Sequence, residues 1–139
     1  MHLPTMPGWN LALRFGLEIV AFVGIGAGAW FAVSDVVDLR AARWAAVIIA
    51  PVVAMASWGT FNVIGDPSRS GRAPVVVAGT TRLVVELLIL AFGFAGLATA
   101  RPSFAYVFGG LAVIHYATSW PRITWLIAQR RGSGAPGEQ

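Results

Sequence analysis

Cysteine is absent from this 139-residue sequence, which excludes a disulfide framework and thiolate-based metal or redox chemistry. Charge is scarce too. Asp, Glu, Lys and Arg together make up 12% of the chain, about half the share usual in a soluble globular domain. Lysine is missing altogether, so all ten basic residues are arginines. What remains is apolar: hydrophobic residues fill 57% of the sequence, and the stretches 19–33 and 87–98 carry no charged or amide side chain at all. A helix lying in water needs a polar face that recurs about every 3.6 residues. These segments have none, so water cannot be their solvent.

A bilayer core about 30 Å thick asks for roughly 20 apolar residues per helical span. Four stretches qualify, about 11–33, 44–64, 75–100 and 104–127. The sequence therefore predicts an all-α, integral membrane four-helix bundle, one transmembrane domain over residues 1–131 with a flexible tail at 132–139. Ala27 and Ala29 superficially resemble a signal-peptide cleavage site, but no basic residue precedes Arg14 and Glu18 interrupts the apolar run, so the segment reads as a first span. A pI near 11 could suggest nucleic acid, but the arginines are placed as membrane-surface anchors and no nucleic-acid partner is expected. With both termini inside, Arg14, Arg69, Arg72, Arg82, Arg122, Arg130 and Arg131 fall on the cytoplasmic side, against Arg40, Arg43 and Arg101 outside. That bias favours this orientation in a bacterial inner membrane. The segment 65–74 reads as a cytoplasmic loop, and Asp35, Asp38, Arg40 and Arg43 read as a solvated outer loop.

An offset of 68 residues sets Arg14 on Arg82, Glu18 on Glu86, Ala27 on Ala95 and Gly28 on Gly96. Ser57-Trp58 and Ser119-Trp120 recur near the ends of the even helices, with Pro51 and Pro121 nearby. The pattern predicts two helical hairpins forming a parallel repeat about the membrane normal. Each Arg lies four residues before its Glu, on one helical face, and the sequence predicts two ion pairs, Arg14/Glu18 and Arg82/Glu86. Arg ahead of Glu is the weaker order for helix stability, so helix propensity does not explain the pairs. Helix two ends in Trp58-Gly59-Thr60-Phe61-Asn62, and helix four carries His115, Ser119 and Arg122 on one face. All four helices thus bring polar residues into the same half. Beyond that layer the spans are dry, and the shape expected is a cup open to the inner leaflet and closed outward by small and aromatic residues, Gly24 and Gly28 having the spacing of close helix packing.

The run Leu13-Arg14-Phe15-Gly16-Leu17-Glu18, then Trp58-Gly59-Thr60-Phe61, a loop containing Pro and Arg, and Arg82-Leu83-Val84-Val85-Glu86-Leu87 together resemble the YrdB-like family of small bacterial membrane proteins. The resemblance covers roughly residues 11–100 and matches helix four only as an apolar span. It implies an architecture but no activity, because the family has no assigned function.

Two readings of the ion pairs follow from their chemistry. As scaffolding they fix how helices pack; as ionisable groups within a membrane they mark a site. The second reading makes the cup a pocket for an amphipathic, lipid- or isoprenoid-like small molecule, with acid–base conversion by Glu18, Glu86 and His115 as a further step that nothing in the sequence demands. Arg14 and Arg82 would hold an anionic head, with Trp58, Thr60, Asn62, Tyr116, Ser119 and Trp120 completing the pocket, although Trp58, Tyr116 and Trp120 read in the first place as interfacial belt aromatics. No cofactor is implied, and one His with two Arg-paired carboxylates is a poor metal ligand set. Expected partners are membrane lipids, the amphipathic molecule and, in the alternative of a small proton-coupled multidrug-type transporter, a second copy as a homodimer. A structural or accessory subunit of a membrane complex is the third class.

Overall fold

A computed structural model describes residues 5–36, 39–67 and 74–129. Asp38, Arg69, Arg72, Arg130, Arg131 and the 132–139 tail, on which part of the orientation argument rests, lie outside the described residues. Helix α1 (Gly8–Ser34) is followed by α2 (Arg40–Thr60), the short strands β1 (Phe61–Asn62) and β2 (Val75–Val76), then α3 (Gly79–Ala100), α4 (Pro102–Thr118) and α5 (Trp120–Ala128). Helices α1, α2 and α3 are long and apolar enough to cross a membrane.

Helices α1 and α2 begin at Gly8 and Arg40, about a turn ahead of the expected Leu11 and Trp44, so that Arg40 and Arg43 lie in α2 and not in a loop, and the boundaries depart from the expected ones in three further places. Helix two stops at Thr60 and not at Ile64, and helix three starts at Gly79 and not at Val75, because Phe61–Asn62 and Val75–Val76 pair as parallel strands. The β-branched run Val75-Val76-Val77 follows Pro74, and β-branched residues favour extended backbone over helix. Val77 N–H extends the ladder to the Asn62 carbonyl at 2.9 Å, and Gly65 supplies the positive φ of 82° that the turn after β1 needs. The expected fourth helix is broken at Ser119 into α4 and α5. Pro121 sits in the first turn of α5, where its missing N–H does no harm.

Close backbone approach sets the register of α1 against α3. A Cβ on Gly96 would collide with the Gly24 carbonyl, and one on Gly28 would come within 2.9 Å of Gly96 Cα. Nearer the helix starts, Gly93 abuts Ala21 and Arg14 reaches Glu86, so α1 and α3 run side by side in the same direction. Helix α2 carries Pro51 in its interior, where its missing N–H removes one backbone bond. Gly26 of α1 makes room for it, since a Cβ there would lie 3.3 Å from Pro51 Cγ.

Burial is inverted relative to a protein folded in water. The largest side chains with almost no exposure are Arg82, Arg122, Leu126, His115, Glu86, Asn10 and Asn62, of which one alone is apolar, while Phe15, Val23, Ile48, Phe92, Phe104 and Val113 lie exposed. An apolar exterior around a polar centre is what a hydrocarbon solvent selects. The apolar core of Leu17, Ala21, Trp58, Ile89, Leu90, Leu97, Ala105 and Phe108 fills the bundle, and Val63, Trp125 and Leu126 form a second cluster at its loop end. There Gly79 N–H bonds the Gln129 carbonyl at 3.0 Å, and the absence of a Cβ on Gly79 lets the Leu126 backbone pack against it.

Candidate polar site

The polar layer is built around Glu86. Arg14 Nη1 and Nη2 donate to its two oxygens at 3.3 and 3.0 Å, Arg122 Nη1 and Nη2 donate at 3.2 and 3.0 Å, and the Tyr116 hydroxyl adds a bond of 3.0 Å. Two forked guanidiniums on one carboxylate are the strong, directional form of charge-assisted bonding. Arg14 also reaches Glu18 through Nε at 2.9 Å. Arg122 holds Asp66 with Nε at 2.9 Å and Nη2 at 2.8 Å. The result is one chain of charges, Glu18–Arg14–Glu86–Arg122–Asp66, drawn from α1, α3, α5 and the turn after β1.

The expected Arg82/Glu86 pair is replaced by this arrangement. Although Arg82 shares a helix face with Glu86, its Nη1 donates to the carbonyls of Trp58 and Phe61 at 3.2 and 3.3 Å, and its Cζ lies 4.0 Å from the centre of the Trp58 ring. The Trp58 carbonyl lies in the last turn of α2, where acceptors find no partner within the helix, and the Phe61 carbonyl lies at the start of β1. Arg14 Cζ lies 5.2 Å from the same indole, so Trp58 faces two cations. The two glutamates differ accordingly: the Glu86 side chain is 2% exposed and accepts five hydrogen bonds, whereas Glu18 is 19% exposed and accepts one, from Arg14.

A second, uncharged group adjoins the first. Thr118 Oγ1 gives its proton to the Ile114 carbonyl at 2.8 Å, so toward Asn10 it accepts. Asn10 Nδ2 donates to Thr118 Oγ1 at 3.1 Å and to Ser119 Oγ at 2.9 Å. This fixes the amide, and its Oδ1 takes the proton of His115 Nδ1 across a 2.5 Å contact. The imidazole is thereby held with its bare Nε2 as an acceptor, and that atom is buried with no hydrogen-bond partner among the described residues.

Of the residues expected at the site, Arg14, Glu18, Arg82, Glu86, Trp58, His115, Tyr116 and Ser119 come together. Asn62 is buried beside them in β1, its Oδ1 unbonded among the described residues. Thr60 returns its hydroxyl to its own helix at Ala56. Trp120 is 62% exposed and is no pocket wall: the break at Ser119 turns it outward. Trp58, by contrast, is buried against the arginines and is no belt residue. Nor is Arg43 merely solvated, since its Cζ lies 5.9 Å from the Trp30 ring centre. The expected open cup is filled at these residues by their own side chains, with Arg14, Arg82, Glu86, His115 and Arg122 all buried. Asn10, Asp66 and Arg122 were not among the expected site residues; the signal for Arg122 was its phase with His115 and Ser119, and for Asp66 its standing as the sole acidic residue between Asp38 and Glu86.

Apolar grooves flank the layer. One of about 340 Å³ lies between α1 and α4, walled by Leu13, Gly16, Leu17, Phe104, Phe108 and Leu111 among others, and another of about 360 Å³ lies where α1, α2 and α3 meet, beside Ser57, Phe61 and Val85.

The model of a family described as a protein of unknown function, DUF2568, matches residues 12–114. The chain is 39% identical over 122 residues to the "Uncharacterized protein YrdB" of Bacillus subtilis (strain 168), covering 86% of this chain and 94% of that one. No solved structure matches. The family match spans Arg14, Glu18, Trp58, Asp66, Arg82 and Glu86, stops one residue short of His115, and establishes that the chain belongs to the DUF2568 family.

Proposed function

We propose that this protein is a four-span inner-membrane protein with both termini cytoplasmic, α4 and α5 together making the fourth crossing, and that it binds an amphipathic, lipid- or isoprenoid-like molecule drawn from the inner leaflet. In this reading the two hairpins are a parallel repeat, supported by the contact of Gly28 with Gly96, which an offset of 68 residues makes equivalent. The polar side chains have diverged from that symmetry, as Arg14 and Arg82 have different partners.

The observation that carries the binding reading is an apolar, lipid-facing groove whose walls lie in phase with the polar layer. Phe104, Phe108 and Leu111 line the α1–α4 groove, and His115 follows Leu111 by four residues on the same face of α4. Its volume of about 340 Å³ lies within the range of small-molecule sites. Acid–base conversion has little support at Glu86, where five donors occupy the carboxylate; Glu18, with one bonded oxygen, is the carboxylate left for it.

Gly16 offers a direct test, because a side chain added there meets no atom within 4 Å and would grow along the groove. The parent protein, extracted in mild detergent and examined by native mass spectrometry, is expected to carry a bound amphipath that Gly16→Phe lacks at an unchanged melting temperature. A ligand-free parent protein, or equal retention by the variant, would overturn the reading.

A further inference from the structure

Resting on that reading of the α1–α4 groove, we propose that its occupant is an uncharged, membrane-soluble alcohol or phenol whose O–H donates to Nε2 of His115. Three observations lead there. The charged groups are already engaged: Arg14 and Arg122 stand with Glu18, Glu86 and Asp66, Arg82 donates to the carbonyls of Trp58 and Phe61, and Glu86 alone accepts five bonds. An anionic head at Arg14 or Arg122 would have to displace a carboxylate from its guanidinium, whereas a neutral head leaves three guanidiniums facing three carboxylates.

The second observation is the imidazole itself. The relay from Thr118 through Asn10 makes Nδ1 the donor and leaves Nε2 a bare acceptor, buried and unbonded among the described residues. Buried acceptors are rarely left open in folded proteins, and one that stays open calls for a donor from outside the chain. The head group complementary to it is an O–H or N–H donor without charge.

The third is alignment. Phe104, Phe108, Leu111 and His115 fall at i, i+4, i+7 and i+11 on one face of α4, and on α1 the groove residues Leu13 and Leu17 follow Asn10, which bonds the imidazole. Both walls of the groove are therefore in phase with the same histidine, which lies one helical turn beyond the lining residue Leu111. From Phe104 to His115 the helix rises roughly 16 Å, room for an apolar chain laid along the bundle with its hydroxyl at the polar end.

The test uses the full chain in lipid nanodiscs and two matched pairs of probes: dodecanol with dodecyl methyl ether, and para-octylphenol with para-octylanisole. Each ether keeps the chain and oxygen of its partner and lacks the donor. The parent protein is expected to bind at least one hydroxyl probe about tenfold or more tightly than its ether, and which pair shows the preference separates an aliphatic from a phenolic occupant. His115→Phe should erase that preference while ether binding persists. Because His115→Phe also strands Asn10, ¹⁵N-histidine NMR on the parent chain supplies an independent reading: the Nε2 resonance of His115 should shift with the hydroxyl probe and not with the ether. Equal binding of both members of each pair, blocked by Gly16→Phe, would overturn the hydroxyl assignment and leave the amphipath reading standing. No binding of any probe would overturn both.

Discussion

Replacing Glu86 and Glu18 one at a time by glutamine separates the hub of the charge chain from its end. Glu86→Gln keeps the volume but removes the anion that Arg14 and Arg122 share, and the new amide N–H₂ must face guanidinium donors in a site where the side chain is 2% exposed. Breaking one buried pair costs about 3–5 kcal/mol. Here two guanidiniums lose a partner, though Arg14 keeps Glu18 and Arg122 keeps Asp66, so a value near the upper end of that range is expected. Glu18→Gln breaks a single bond at a position 19% exposed, where a loss of about 1 kcal/mol is expected for one charged hydrogen bond partly open to its surroundings. At about 2–8 °C per kcal/mol for chains of this order of size, the two variants should differ by on the order of ten degrees. The assay is thermal unfolding in one detergent, followed by tryptophan fluorescence and checked by circular dichroism. If Glu18→Gln melts at or below the temperature of Glu86→Gln, the hub assignment is wrong.

Further outcomes are expected elsewhere. Gly96→Leu should prevent α1 and α3 from packing, given the collision with the Gly24 carbonyl, and appear as loss of folded protein on size-exclusion chromatography, whereas Gly59→Ala, in open surroundings, should be neutral. Trp58→Leu keeps an apolar filler but removes the ring beneath the Arg82 and Arg14 guanidiniums; a loss of about 1–3 kcal/mol in unfolding by denaturing detergent is expected, and no loss would show the stacking to be incidental. Cysteines introduced at Ser68 and Ser103 should react with an impermeant thiol reagent from opposite sides of the membrane, and labelling from one side would refute the four-span topology.

Which groups meet was legible in the sequence to the extent that helical period controls it. Three spanning-length helices and the gathering of Arg14, Glu18, Trp58, Glu86, His115 and Tyr116 follow from apolar runs and from residues in phase on a helix. Partner choice did not follow. A spacing of four residues made Arg82 the natural mate of Glu86, yet in the folded chain two arginines from other helices reach that carboxylate and the backbone carbonyls of Trp58 and Phe61 accept from Arg82. Such competition depends on how neighbouring helices rotate against one another, which is written in the Gly24, Gly28, Gly93 and Gly96 contacts and not in any single span. Asp66 was hidden for a related reason: it sits in a turn whose position is set by a two-residue strand pairing between segments 14 residues apart in register.

The bond from Arg122 to Asp66 and Glu86 has a consequence for biogenesis. A chain emerging from the ribosome presents Arg14, Glu18, Asp66 and Glu86 before α5 exists, so the two bridges made by Arg122 can form only after the rest of the bundle has been synthesised. The arriving Arg122 then joins the turn after β1 to the middle of the bundle in a single step. A nascent protein cut short before residue 122 would lack both bridges, and with them the contact that ties Asp66 to Glu86.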